Sequence, residues 1–279
     1  VNRRAFLTRA AVGTGVAGAA MAGSWRFMLH HIEVVDVPLP VVALPTALEG
    51  AHLVQLSDLH IGHDVDDAYV QHTLDIVGAL APDILAFTGD FVTWRGPDQL
   101  SQLDGVLHAL PKATLATVAV LGNHDYGFQW RQGNVANEIV TLAGRHGIDV
   151  IRNDVRIIEG LRVLGVDDLW AGQTNVEATR RLAPDGVPSI ALCHNPDVMD
   201  DPAWRGYRGW MLAGHTHGGQ CRAPFCDPPI LPLRNRRYAA GLVVTPDGRS
   251  VYVNRGVGHT LPIRINVRPE VTRFRLVRA

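Results

Sequence analysis

Leu121-Gly122-Asn123-His124-Asp125 closes an apolar run that begins at Ala113. A glycine breaks the run, and an amide, an imidazole and a carboxylate follow with no spacer. That pattern reads as a buried strand delivering polar groups to a site at its C-terminal end. Four other apolar runs stop in the same manner. Leu53-Val54-Gln55-Leu56 meets Ser57-Asp58-Leu59-His60, and Ile84-Leu85-Ala86-Phe87 meets Thr88-Gly89-Asp90. Ile190-Ala191-Leu192-Cys193 meets His194, and Trp210-Met211-Leu212-Ala213 meets Gly214-His215-Thr216-His217.

Between these runs lie helical patterns. Asp66 to Leu80 carries apolar residues at helical spacing, with Asp66 placed to cap the first turn. Pro97 to Leu110 and Asn134 to His146 repeat the pattern, the latter closed by Gly147. Leu53 to Leu121 therefore reads strand–helix–strand–helix–strand, which predicts parallel strands with right-handed crossovers. A leading strand or two precede Gly50, with a turn near Pro45. After Gly147 the strands shorten: Val150-Ile151, Val155 to Ile158, Leu161 to Val166, Gly241 to Thr245, Ser250 to Val253 and Val271 to Val277. A short helix is expected over Asn175 to Leu182 and a tight turn at Pro246-Asp247-Gly248. Two packed mixed sheets with helices outside accommodate both halves.

The 279 residues are 47% hydrophobic and carry a formal net charge of −1, which indicates a real core and no global basic field to recruit nucleic acid. Three cysteines cannot form a multi-bridge scaffold. At the N-terminus, Arg3-Arg4-Ala5-Phe6-Leu7 precedes a mildly apolar stretch from Ala10 to Gly23. Paired arginines before a weakly apolar segment resemble a twin-arginine export signal, with Ala20-Met21-Ala22 as a small-x-small cleavage site. The expected division is a signal or membrane anchor over 1–23 and one catalytic domain over 24–279. Export would place the protein outside the cytoplasmic membrane, with the twin-arginine translocon as a transient partner; an uncleaved segment would tether it there.

Singly, the strand-end fragments say little. Asp90 after a glycine suits a turn or cap, Asn123 suits a turn, and His194 suits a hydrogen-bonded core position. Two imidazoles two residues apart, His215 and His217, are the most specific piece, because on a bent strand end they can face different metals. The order carries the inference: Asp58-x-His60, Gly89-Asp90, Gly122-Asn123-His124-Asp125, His194 and Gly214-His215-Thr216-His217-Gly218-Gly219-Gln220 follow one another. In that order the sequence resembles the calcineurin-like metallophosphoesterases from Leu56 to about Gln220, and is most similar to a bacterial branch that carries an export signal.

The resemblance implies an α/β fold, a four-layer αββα sandwich of two mixed β-sheets flanked by helices. It implies that Asp58, His60 and His217 hold one divalent ion, that Asn123, His194 and His215 hold a second, and that Asp90 bridges them. Manganese, iron or zinc would suit this set of donors. Two divalent ions, two aspartates and one hydroxide leave about one positive charge to receive a phosphate oxygen. By the same resemblance, a hydroxide between the ions attacks phosphorus in line, His124 protonates the leaving oxygen, and Asp125 orients the His124 ring.

The expected activity is hydrolysis of a phosphodiester of the cell-envelope or nucleotide type, with a lipid-linked ester among the substrates and no nucleic-acid recognition module. Two alternatives stand beside it. One is pyrophosphate cleavage of a nucleotide-linked acyl sugar of the UDP-diacylglucosamine type. The other is a non-catalytic metal-binding protein, which would tend to lose ligand positions that are all filled here. Beyond the motif, His63 and Asp64 follow the first block, Arg234, Arg236 and Arg237 form a basic loop, and His259 follows a glycine-rich turn. Each is placed to reach substrate or to be a solvated loop. Cys221 and Cys226 have spacing that permits a disulfide, and Cys193 reads as a buried thiol. The Pro-rich apolar stretch from Cys221 to Leu233 suits either an acyl chain or membrane surface, or a packed irregular loop.

Overall fold

The structure, a computed structural model, describes residues 28–279 apart from 63 and 224. The paired arginines, the cleavage site and His63 lie outside the described residues. The strands are β1 (Glu33–Val41), β2 (His52–Leu56), β3 (Ile84–Thr88), β4 (Ala116–Val120), β5 (Ile148–Val150), β6 (Asp154–Ile158), β7 (Leu161–Gly165), β8 (Ser189–Leu192), β9 (Trp210–Ala213), β10 (Gly241–Val244), β11 (Ser250–Val253) and β12 (Glu270–Arg278). They form two six-stranded mixed sheets, ordered β1-β12-β2-β3-β4-β5 and β10-β11-β9-β8-β7-β6.

The first sheet is built as its periodicity requires. β2, β3 and β4 are parallel, joined by α1 (Asp67–Ala79) and α2 (Asp98–Leu107). The Asp66 side chain accepts from Ala68 N and caps α1, while Tyr69, Val70, Leu74 and Val77 are buried beneath it. α2 ends at Leu107 rather than Leu110, because Ala109 and Leu110 close i→i+3 turns on Val106 and Leu107. α3 (Gly133–Arg145) completes this outer layer. Alternation along the strands divides the core. Val54, Leu85, Phe87 and Ala119 face the helices, whereas Leu53, Ile84, Ala86, Val118 and Val120 face the second sheet. One leading strand, β1, precedes the turn at Pro45 and pairs in parallel with β12.

The fourth layer is thinner than a helical layer. Over the outer face of the second sheet lie α4 (Val176–Arg181) and three 3₁₀ turns, Pro196–Asp200, Pro202–Trp204 and Arg236–Tyr238, with Met199, Trp204, Tyr207 and Tyr238 buried among them. Pro184, Pro188, Pro196 and Pro202 fall in these connections and forbid longer helices.

Register sets the site. Leu56 lies opposite Phe87 and Phe87 opposite Ala119, so β2, β3 and β4 end level. Leu192 lies opposite Leu212, so β8 and β9 do too. The polar residues after these five strands therefore emerge at one end of both sheets. The three cysteines are free. Cys221 forms a β-bridge with Ile265 while Cys226 donates to Ala223 O, and no disulfide joins them.

Candidate metal centre

Seven residues from the strand ends converge in one buried cluster. His217 Nε2 lies 3.3 Å from Asp58 Oδ1 and 3.1 Å from His60 Nε2. His194 Nε2 lies 3.1 Å from Asp90 Oδ2 and 3.1 Å from His215 Nδ1. His60 Nε2 joins the halves, 3.6 Å from Asp90 Oδ2. Three overlapping donor groups result: Asp58, His60 and His217; His60, Asp90 and His124; and Asp90, His194 and His215. Asn123 is 1% exposed and follows the same strand end as His124, whose backbone N donates to Asp90 Oδ1 at 2.9 Å.

The backbone is bent to bring them in. Asp58, His60, Asp90, His215 and His217 all have φ between 48° and 72°, the left-handed region. Such a conformation costs a non-glycine residue roughly 1–3 kcal/mol, and clusters of it mark functional sites. Each chain turns sharply off its strand, which aims successive polar side chains inward instead of alternating them.

The donor set suits a cation. His194 Nδ1 lies 2.7 Å from Thr88 O, and a carbonyl only accepts, so Nε2 is the nitrogen with a lone pair to offer. His215 is reversed: Nε2 donates to Pro232 O at 3.0 Å, which frees Nδ1. His60 pairs Nδ1 with Thr93 Oγ1 at 2.9 Å and turns Nε2 inward. Asp58 Oδ2 accepts from Ser57 Oγ at 2.5 Å and from His215 N at 3.1 Å, while Oδ1 is buried with no hydrogen bond. Both amide atoms of Asn123 are likewise buried and unpaired. Orphaned buried polar atoms cost about 1–3 kcal/mol each, and Asp58 Oδ1 faces the imidazoles of His60 and His217. A bound cation would supply the missing partners.

Burial sets the protonation of the empty-handed groups. It pushes Asp58 up to about 6, with His194 opposing. Burial would also raise Asp90, but His194, His124 and His60 hold it well below the usual carboxylate range. Burial drives His60 and His217 well down and His215 to about 3, so these three rings are neutral, as ligation requires. His194 is the exception: burial lowers it, yet Asp90 overrides that and carries it to about 10.

Other residues depart from the sequence reading. Asp125 does not orient His124: its Oδ1 accepts from Val92 N at 3.2 Å and its Oδ2 from Gly122 N at 2.8 Å. In the 3₁₀ turn Asn123–Tyr126 adjacent side chains diverge, so Asp125 braces the backbone beneath the site. The His124 ring instead packs edge-on to His60 at 5.0 Å and faces Trp130 at 6.3 Å. His259 is buried and ties its Nε2 to Asp64 O at 2.9 Å. Asp64 pairs with Arg95, Arg236 binds Pro228 O, and the backbone N of Arg234 donates to Asp197 at 2.7 Å.

Sequence reasoning also missed Arg264. It is fully buried; its Nη2 lies 2.8 Å from Gly258 O, 3.0 Å from Gly256 O and 3.3 Å from His217 Nδ1. No local pattern marked it, since its partners lie in a different turn. A wall of two indoles was likewise unforeseen: Trp170 packs edge-on to His215 at 4.3 Å and against Trp130 at 4.9 Å.

Gly122 is needed for close approach. A Cβ there would lie 2.2 Å from Asp90 Oδ1 and 2.5 Å from Asp90 N. Gly122→Ala is expected to displace Asp90 and lower kcat on a soluble phosphodiester by roughly a hundred-fold, because a shift of about 1 Å in a positioned group costs that much. Stopped or steady-state turnover beside a circular-dichroism melt checks this.

The comparisons come to the same region. A family model described as calcineurin-like phosphoesterase matches residues 51–219. The chain is 34% identical to the phosphodiesterase YaeI of Escherichia coli, over 80% of each protein. It is 31% identical to an uncharacterized metallophosphoesterase, YkuE, of Bacillus subtilis, over 99% of this chain and 98% of that one. It is 28% identical to the UDP-2,3-diacylglucosamine pyrophosphatase LpxG of Chlamydia trachomatis, over 82% and 84%.

Proposed function

We propose that this chain, which belongs to the calcineurin-like phosphoesterase family, is a phosphodiesterase whose seven clustered strand-end residues hold two divalent ions. Membership makes it a metal-dependent phosphoric ester hydrolase with a dinuclear centre. The observation that carries the ligand assignment is the pair of donor groups, Asp58–His60–His217 and Asp90–His194–His215, joined where His60 approaches Asp90. Asp58, His60 and His217 would hold one ion, Asn123, His194 and His215 the other, and Asp90 would serve both. When bound, two such ions neutralise phosphoryl oxygens and make water a nucleophile at neutral pH.

The chain's own residues do the rest. Thr88 O, Thr93 Oγ1 and Pro232 O hold three imidazoles by the nitrogen that does not face the centre. Asp90 Oδ1 holds the backbone of His124, so the ring stays at the edge of the cluster. From there His124 donates a proton to the departing ester oxygen. Asp125 keeps Gly122 and Val92 fixed below.

A diester is favoured over a monoester by the Escherichia coli relative's name and by the indole wall, which offers a flat apolar surface to a second ester group. The Chlamydia relative supports a pyrophosphate reading, in which the same centre cleaves a nucleotide-linked acyl sugar. The residues Arg3-Arg4-Ala5-Phe6-Leu7 and the apolar segment after them support export by the twin-arginine route. A turnover screen of protein loaded with manganese, on bis-p-nitrophenyl phosphate, p-nitrophenyl phosphate and a UDP-linked acyl sugar, separates these readings. The diester is expected to be turned over fastest. No turnover of any of the three would remove the assignment.

A further inference from the structure

Two segments beside the metal centre carry apolar side chains into solvent. Phe225 is 104% exposed, Ile230 79% and Leu261 65%, with Ile263 and Ile265 also exposed. Pro262 between the first two is exposed as well, whereas Arg264 between Ile263 and Ile265 is buried. The segments are stitched together: Ile265 N donates to Gln220 O at 3.0 Å, Arg222 N donates to Ile265 O at 2.9 Å, and Gln220 Nε2 donates to Leu261 O and Ile263 O. The rim adjoins the centre, because Pro232, just past Ile230, accepts from His215. Large exposed apolar side chains on two segments joined in this way mark a partner surface.

Charge and chain path say which partner. Arg222, Arg236 and Arg237 are exposed along the same loop, against one acid, Asp227. A second copy of this face would bring arginines against arginines, whereas anionic headgroups complement them. Residues 1–27 join the described chain at Met28, whose Sδ lies 3.3 Å from Asn266 N, at the end of the exposed Leu261–Ile265 face. That preceding stretch is basic at Arg3, Arg4 and Arg9 and apolar from Ala10 to Gly23. We infer that the rim formed by Phe225, Ile230, Leu261, Ile263 and Ile265 seats the protein on an anionic bilayer beside its metal centre. Apolar side chains enter the headgroup boundary and the arginines meet lipid phosphates, as in interfacial anchoring elsewhere.

The inference stands on the rim, not on the hydrolytic reading, and one experiment keeps the two apart. The full chain is sedimented with vesicles of phosphatidylcholine containing phosphatidylglycerol, and in parallel assayed on soluble bis-p-nitrophenyl phosphate. The double variant Phe225→Ser with Ile230→Ser is expected to lower vesicle partitioning by roughly ten-fold or more while turnover stays within about two-fold. Phe225→Leu with Ile230→Leu is expected to partition like the parent. Wild-type protein that stays in the supernatant, or a serine variant that partitions as the parent does, would overturn the inference. So would leucine and serine variants that lose partitioning equally.

Discussion

Asp90→Asn is expected to lower kcat on bis-p-nitrophenyl phosphate by roughly a thousand-fold and to lower the bound metal, with the fold intact. Asparagine keeps the size and one acceptor for His124 N, which Asp90 Oδ1 binds at 2.9 Å. What goes is the negative charge within 3.1 Å of His194 and 3.6 Å of His60, the one carboxylate common to both halves of the cluster. Charge stabilisation by a metal centre is worth several kcal/mol, and each ~1.36 kcal/mol is tenfold in rate. Steady-state kinetics at saturating manganese, together with metal analysis, reads the result. A variant with near-parental kcat would show that Asp90 is a structural acid.

His124→Ala is expected to act differently: metal content is retained, and kcat falls by roughly 10²–10⁴ for a diester with a poor, alkyl leaving group. For a p-nitrophenyl leaving group the loss should be far smaller, because that oxygen departs without a proton. The geometry supports this split. The ring sits at the cluster's edge against His60 and Trp130, and its backbone N is held by Asp90. Equal losses for both leaving groups would assign His124 to charge stabilisation alone.

Much of the fold was legible because two periods alternate along the chain. Leu53, Val54, Leu85 and Phe87 sit in short buried runs, and Asp66 caps a helix with an apolar stripe. In the outer layer of the second sheet only the short helix at Asn175 to Leu182 was legible, because prolines cut the rest into turns that have no period. The candidate ligands could be picked out because each follows a glycine or a polar break at the end of an apolar run. Their backbone conformation could not: nothing in the letters of Asp58, His60 or His217 announces a positive φ. Adjacency misled at Asp125, where a tight turn points neighbouring side chains apart and the carboxylate serves backbone N–H groups. Thr93, Pro232 and Arg264 act through atoms brought from distant segments, and a local pattern has no means of naming them.

The most direct measurement is metal bound per chain after exhaustive dialysis of manganese-loaded protein, read by elemental analysis on the parent and on His217→Ala and His194→Ala. The parent is expected to hold two ions, and each variant to hold about one while keeping its fold, since each removes a ligand from a different half. A parent that turns over diester while holding no more than one ion, or variants that both still hold two, would contradict a dinuclear centre built from these residues.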